Sequence, residues 1–270
     1  MKKFKLSVLA MALTTMLGFT SCLDNGEPGP SSATSFLKVR TSMGYTTFED
    51  PSGFQYIPTT TLTTSPTSRL AFLYFEIDTS TLTQESTSAD ITLLQDPVYL
   101  REMNAALSPV PAEEETVALY GIPSNGCAVW GAFEFLIMAP NFNLKKGTTT
   151  SNLDSELPNH RLAVYYDSTE EGVANGTLRL HIRYRITNAD MTDENWGQDY
   201  NVQYGEYVFV DLASIISAYR NNNQNEYPTR LELEYEMYNT NSATSDPDKK
   251  TSQTITIEKQ YLPDMSETEE

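Results

Sequence analysis

Leu178-Arg179-Leu180-His181-Ile182-Arg183-Tyr184-Arg185-Ile186 decides the fold class. Apolar residues recur at every second position. Arg179, His181, Arg183 and Arg185 fill the positions between them. A period of two is the signature of a half-buried β-strand, because successive side chains leave opposite faces of the backbone. A second stretch, Leu231-Glu232-Leu233-Glu234-Tyr235-Glu236-Met237, repeats the pattern with glutamates in place of the basic residues. The two ladders match in length and oppose in sign. The sequence therefore predicts that both strands lie on one sheet, as direct or near neighbours, with their charged residues on a shared solvent-facing surface. Each exposed pair would contribute about 0.2–1 kcal/mol, so the ladder sets register more than stability.

Outward from these strands the chain reads as all-β. Thr, Tyr, Val and Phe are frequent, long helical periodicity is absent, and turn residues punctuate short apolar runs. Strands are expected at 35–43, 45–49, 54–58, 69–78 and 91–94, with Glu49-Asp50-Pro51-Ser52-Gly53 turning a hairpin between the second and third. The run 69–78 is apolar on both faces and should be central and buried. From 104 to 126 three prolines and a Glu113-Glu114-Glu115 run change the composition. A first domain is accordingly placed at 35–108, a linker at 109–126 and a second domain at 127–262, with a frayed tail at 263–270. The second domain should hold strands at 127–138, 162–166, 177–187, 206–212, 228–238 and 254–258. Asn175-Gly176 signals a hairpin, and 213–219 is the one helical stretch.

The front of the chain gives an address. Lys2, Lys3 and Lys5 precede an uncharged apolar run of about 15 residues, short of the roughly 20 that span a bilayer as a helix. It closes on Phe19-Thr20-Ser21-Cys22, small residues before a cysteine, as in a lipoprotein signal peptide covering 1–21. The Cys22 thiol would carry the lipid, anchoring the protein to a membrane without a transmembrane helix. Phe19 stands where a smaller aliphatic is usual. Residues 22–34 would form a flexible tether. Leu23-Asp24-Asn25-Gly26-Glu27 fits either a solvated acidic spacer or the short acidic signal that sends some lipoproteins to the outer surface. The expected location is the Gram-negative cell envelope, as an outer-membrane lipoprotein, with the surface face left open.

The formal net charge is −18, and removal of a leader carrying three lysines makes the remainder more negative still. Such a chain repels phosphate backbones, which argues against nucleic acid as a partner. With Cys22 lipidated, Cys127 is the remaining thiol and has no partner for a disulfide. It reads as a small core residue rather than a nucleophile.

This layout resembles the NigD-like family of envelope lipoproteins. The residues that carry the resemblance are the lipobox at Cys22, the β-rich stretches 69–78 and 90–94, and the run 132–139. With them go His160-Arg161-Leu162-Ala163-Val164, the stretch from Gly176 to Tyr184, and Tyr207-Val208-Phe209-Val210-Asp211-Leu212. Leu178, Leu180, Asn188 and Asp190 come close to a further family pattern without its usual spacing. The resemblance implies a small OB-like N-terminal β-barrel and a C-terminal β-sandwich. The family name suggests bacteriocin immunity, a suggestion on which no residue here bears.

Motifs for chemistry are sparse. His160 and His181 lie in no His-Glu-x-x-His pattern, and a zinc site needs three or four convergent ligands. His181 belongs to the basic stripe; His160, after Pro158-Asn159, suits a cap or turn. Gly121 to Gly126 has the wrong spacing for a nucleophile elbow. Asn188, Asp190, Asp193 and Glu194 cluster oxygen ligands that could hold calcium, without the regular Asp-x-Asp-x-Asp-Gly order; a solvated turn is the alternative. Trp196, Tyr200 and Tyr204 could form a stacking platform for sugar rings, or Trp196 could fold back over the end of the sandwich. An enzyme acting on polysaccharide would need two convergent carboxylates, and their abundance singles out no pair. The expectation is a non-enzymatic protein without a cofactor. It would be lipid-anchored and act by recognition of a glycan or an envelope protein, with immunity-like or assembly contact as the alternative.

Overall fold

The structure, a computed structural model, describes residues 29–62, 65–112, 115–123, 125–263 and 265. The leader, Cys22 and the last residues, 266–270, lie outside the described residues. The chain divides into two units between Arg101 and Glu102.

The first unit holds β1 (Pro30–Ser42), β2 (Tyr45–Glu49), β3 (Gln55–Pro58), β4 (Leu70–Asp78), β5 (Ser88–Leu93) and β6 (Val98–Tyr99). Their order is β1-β2-β3-β5-β4, and β4 pairs back onto β1. The pairings are antiparallel except for β3 with β5. The result is a five-stranded mixed barrel, OB-like, with β6 added outside β4. Closure removes the free sheet edges that would otherwise invite aggregation. The barrel core is Leu37, Phe48, Tyr56, Ala71, Leu73, Phe75, Ile77 and Ile91. The turn before β3 is built as the sequence suggests: Ser52 and Phe54 donate their amides to Asp50 Oδ1, and Gly53 takes φ +87°.

Two expectations change in this unit. Ser-rich residues read as tether belong to β1, which starts at Pro30 and pairs from Pro30↔Asp78 to Lys38↔Leu70. A small-residue stretch carries no apolar signal, but nothing in it opposes extension, and proline is tolerated as the first residue of a strand. β4 is central and buried on both faces at its start, Leu70 and Ala71, but its second half opens one face to solvent at the exposed Tyr74 and Glu76.

After the two-residue β7 (Arg101–Glu102), which straddles the division, the second unit holds β8 (Asn104–Ala106), β9 (Cys127–Trp130), β10 (Phe135–Met138) and β11 (Asn141–Lys145). Then follow α1 (Leu153–Glu156), β12 (His160–Tyr165), β13 (Thr177–Ile186), β14 (Tyr200–Gly205), β15 (Val208–Asp211), α2 (Ala213–Asn222), β16 (Arg230–Met237) and β17 (Thr251–Glu258). A mixed five-stranded sheet runs β17-β16-β13-β12-β8; β15, β10 and β9 lie side by side in another; β11 and β14 form a ribbon. All three contribute to one core, with Leu180, Tyr184 and Leu233 from the first, Leu136 and Val210 from the second and Phe142 from the ribbon. Ile215, Ile216 and Tyr219 of α2 complete it.

The expected single sandwich is thus three sheets and a helix around one core. The expected linker is part of it: Val117, Leu119 and Ile122 are buried, and Val117 and Leu119 bridge to Tyr184 and Met237. Prolines and glutamates hid a continuous buried run between them, Thr116 to Leu119. The run 127–138 is not one strand but the hairpin β9–β10, turned at Gly131 and Phe133 with φ +63° and +57°. Asn175-Gly176 does not close a tight hairpin either. It ends a loop, 166–176, that joins the antiparallel β12 and β13.

Candidate functional site

β13 and β16 are adjacent and parallel, with Arg179 opposite Glu232 and His181 opposite Glu234. Arg179 Nε and Nη2 donate to Glu232 Oε2 at 3.0 and 2.8 Å. Arg183 donates to Glu234 at 3.2 Å, and Lys250 donates to Glu236 at 3.1 Å. The neighbourhood and charge pairing follow the sequence expectation, but the surface is not freely solvated. The 166–176 loop folds back so that Glu170 accepts from Arg179 Nη1 at 3.0 Å and lies 2.8 Å from His181 Nε2. Side chains of His181 and Arg183 keep only 12 % and 13 % of their exposure. His181 Nδ1 lies 3.3 Å from Glu234. Burial alone would raise the Glu234 carboxyl, but the charge of His181 and the Arg183 guanidinium outweigh it and hold it below its ordinary value.

A second cluster is buried. His160 is fully enclosed. Its Nδ1 is 2.5 Å from the Tyr184 hydroxyl, and its Nε2 is 2.9 Å from Glu156 Oε1. The ring stacks on Phe142 and Tyr184 at centroid distances of 5.3 and 5.9 Å. The carboxylate–imidazole–hydroxyl order matches that of a catalytic triad, but His160 and Tyr184 are buried in the core and only the half-buried Glu156 meets solvent. The sequence placed His160 at the start of a strand in a cap or turn role, and it is the first residue of β12 and caps the turn before it, but its buried side-chain pairing was not foreseen. The i,i+4 spacing of Glu156 and His160 around Pro158 was the available signal for their pairing.

Of the proposed stacking platform, Tyr200 is buried, while Trp196 and Tyr204 are half-buried and packed against the core. Trp196 meets Tyr200 edge-on at 5.8 Å, and Tyr204 meets Phe142 at 5.6 Å. The rings therefore face the core instead of standing in an exposed row. Among the proposed cation ligands, Asn188 Oδ1 accepts from the Tyr200 hydroxyl at 3.1 Å. Asp190 accepts from Thr192 at 2.6 Å, and Asp193 accepts from the Asn195 amide at 2.8 Å. These carboxylates close local turns. Among the described residues no group of three or more His, Cys, Asp and Glu converges to hold a metal ion. Cys127 is half-buried as a residue, but its thiol is desolvated, which pushes its pKa up to about 12. An open cleft of about 1120 Å³ is lined by Asn225, Glu226, Tyr227, Thr229, Glu258 and Gln260.

One feature the sequence reading missed lies on the barrel. β1 and β2 are joined by Met43 and Gly44, both with positive φ, +50° and +85°. That is the pattern of a type I′ turn, where Asn, Asp or Gly is the usual first central residue. Met43 is 97 % exposed and Tyr45 79 %. The strands expected at 35–43 and 45–49 leave only Gly44 between them, whereas the turn takes Met43 out of the strand as well.

The fold defines a class of two-unit β proteins, an OB-like barrel followed by a larger sheet unit. Solved structures from the Bacteroidetes share it. A candidate lipoprotein of Bacteroides fragilis matches with TM-score 0.68 and 19 % identity, over 86 % of this chain and 99 % of that one. An uncharacterized protein of Parabacteroides merdae matches with TM-score 0.51 and 12 % identity, over 84 % and 98 %. The structural neighbours also include a NigD-like immunity protein of Bacteroides caccae, at TM-score 0.45 and 17 % identity over 82 % and 90 %. At these identities the likeness establishes the fold and no activity. No family model matches the chain, and no curated protein is similar to it in sequence.

Proposed function

We propose that this chain is a lipid-anchored protein of the bacterial envelope that works by contact with another envelope protein, without catalysis. One observation carries the reading: the side chains best suited to chemistry are committed to the scaffold. His160 is enclosed between Glu156 and Tyr184, His181 lies between Glu170 and Glu234, and the Cys127 thiol is raised rather than activated. The leader ending at Cys22 and the lipoprotein description of the B. fragilis neighbour support the address. Glycan recognition is the second reading, favoured by the open cleft beside Tyr227, where Glu226, Thr229 and Gln260 stand with the apolar Pro228 and Leu262.

Protease shaving of intact cells is the test, with Cys22→Ser as the anchoring control and a periplasmic marker. Wild type should sediment with membranes and Cys22→Ser should not; equal sedimentation overturns the anchor. Loss of the protein to external protease favours recognition at the cell surface, and protection favours contact inside the envelope. Turnover of an envelope polysaccharide by the purified chain would overturn the non-catalytic reading.

A further inference from the structure

We infer that β17 is a pairing edge that takes the β17 of a second copy of this chain, antiparallel, about a two-fold axis through Ile255. The inference rests on the sheet edge and is separate from the contact with another envelope protein proposed above.

The edge is open. Among the described residues β17 pairs with β16 alone and ends the five-stranded sheet. The direction of its free amides follows from its neighbour. Glu236 accepts from the Leu119 amide, Tyr238 donates to Leu119 and Arg230 donates to Gly176, all on the side of β16 away from β17. The N–H and C=O of one residue leave the same edge of a strand, and successive residues alternate. Leu231, Leu233, Tyr235 and Met237 therefore bond to β17, through Ile257, Ile255, Gln253 and Thr251. Ser252, Thr254, Thr256 and Glu258 are left aiming their N–H and C=O groups outward. Thr256 is half-buried and the other three are exposed. Among the described residues no backbone group from outside the sheet bonds to these four.

The edge is also unguarded. Sheet edges are normally kept from pairing by lysine, proline, a bulge or a very short strand. β17 is eight residues long and contains no Lys, Arg or Pro. Its register with β16 runs from Arg230↔Glu258 to Met237↔Thr251 without a shift. The ribbon strand β14 is shorter, and its register slips between Leu144 and Lys145.

A second copy fits this row by its own symmetry. Ser252 opposes the second copy's Glu258, and Thr254 opposes its Thr256. The four facing pairs exchange two bonds each, and no outward group is left over. The operation is a two-fold rotation, which closes as a dimer instead of growing into a fibre. Side chains agree on both faces. Towards the core, the half-buried Ile255 meets its own copy at the close, non-hydrogen-bonded position, and Ile257 meets Gln253. An apolar centre with polar flanks is the anatomy of a protein interface. Towards solvent, the column reads Lys250, Ser252, Thr254, Thr256 and Glu258, with Lys250 fixed on that face by Glu236 at 3.1 Å. Reversed against itself, the column brings Glu258, whose side chain is 58 % exposed, diagonal to the second copy's Lys250. The two are opposite in sign and within reach of long side chains. The net charge of −18 opposes this pairing in dilute solution, and the anchor proposed at Cys22 raises the local concentration that offsets it.

The test is a single-cysteine scan of the full-length lipoprotein in its own membranes. In a Cys127→Ala background, Ser252→Cys, Thr254→Cys, Ile255→Cys, Thr256→Cys and Glu258→Cys are each oxidised with copper phenanthroline. Disulfide-linked dimer should peak at Ile255→Cys, where the two Cα atoms would stand about 4.5 Å apart. It should fall at least about tenfold at Ser252→Cys and Glu258→Cys, whose copies are out of step by about 20 Å. Thr254→Pro removes an outward N–H and no bond to β16. Added to Ile255→Cys, it should lower the dimer about tenfold or more with the melting temperature unchanged. If that variant melts lower, Thr254→Lys with Thr256→Lys, which sets like charges across the axis, gives the same reading. A flat scan, a peak at another position or monomer throughout overturns the pairing. So does Ile255→Cys joined to a different protein, or a dimer that survives the edge variants.

Discussion

Arg179 lies directly opposite Glu232 across the parallel β13–β16 pair, and two of its guanidinium nitrogens, Nε and Nη2, converge on the same carboxylate oxygen. A third nitrogen holds Glu170, so one arginine ties the sheet to the loop that covers it. The pair is more than surface decoration, since Glu232 keeps only 12 % of its side-chain exposure.

A double-mutant cycle of Arg179→Ala and Glu232→Ala should therefore give a coupling energy near the upper end of the exposed-pair range, about 1 kcal/mol. Urea unfolding of the four proteins measures it. Coupling indistinguishable from zero would mean that solvent competes the pair away.

Acid should loosen this face. Glu234 has a native pKa below the ordinary value of 4.5 because His181 and Arg183 outweigh the effect of burial. A depressed carboxyl contributes stability that is fully present above its unfolded value and is lost as pH falls through its native value. Unfolding free energies measured from about pH 7 down to about pH 3 should thus decline on the acid side. Glu234→Gln should flatten that decline while lowering stability at neutral pH. An unchanged acid slope in the variant would remove Glu234 from the linkage.

The charge ladder was legible because alternation and sign are both local properties of the chain. Arg179 and Glu232 are 53 residues apart, yet each strand announces its face independently. The 166–176 loop was not legible. Glu170 lies beside Glu171-Gly172 and reads as a solvated turn, and only the antiparallel return of β12 to β13 brings it over Arg179. The same holds at 109–126, where Pro and Glu announce a linker while Val117, Leu119 and Ile122 are core. The aromatic cluster was left open between an exposed platform and a Trp196 folded back over the core, and the structure takes the second for a related reason. Trp196 sits in a polar segment, but ring packing is decided by the neighbouring strands, here β14 and the Phe142 ribbon. The barrel was better announced, since alternating strands and a Pro-Ser-Gly turn fix its hairpins. Its closure through Ser31 to Thr34 carried no apolar signal.

The buried cluster gives a sharper stability prediction. His160→Ala opens a cavity between Phe142 and Tyr184 and removes one hydrogen-bond partner each from the Tyr184 hydroxyl and the Glu156 carboxylate, which keeps the Lys145 amide and Asn159. The expected loss is about 2–4 kcal/mol, mostly from the cavity with the lost hydrogen bonds added. Glu156→Gln keeps an acceptor facing Nε2 and should cost only about 1 kcal/mol. Thermal or urea unfolding distinguishes the two. A small loss for His160→Ala would mean that water enters and satisfies the hydroxyl.

Cys127 offers a chemical probe of the second unit. Its thiol carries a pKa pushed up to about 12 by desolvation, and the residue packs against the core. In the lipidated chain, or in Cys22→Ser, it is the remaining thiol. At about pH 8 its thiolate fraction is lower than that of an ordinary free cysteine by a factor on the order of a thousand. Alkylation by iodoacetamide should be strongly slowed in the native protein, by less than that factor on thiolate fraction alone because a thiolate of higher pKa is the better nucleophile, and should recover fully in urea. Between these limits the labelling rate reports the opening of the β9 edge, because thiolate forms only once water reaches the sulfur. A native rate matching that of a free thiol would show the sulfur to be solvated. It would also reopen the question of nucleophilic chemistry that the contact function sets aside.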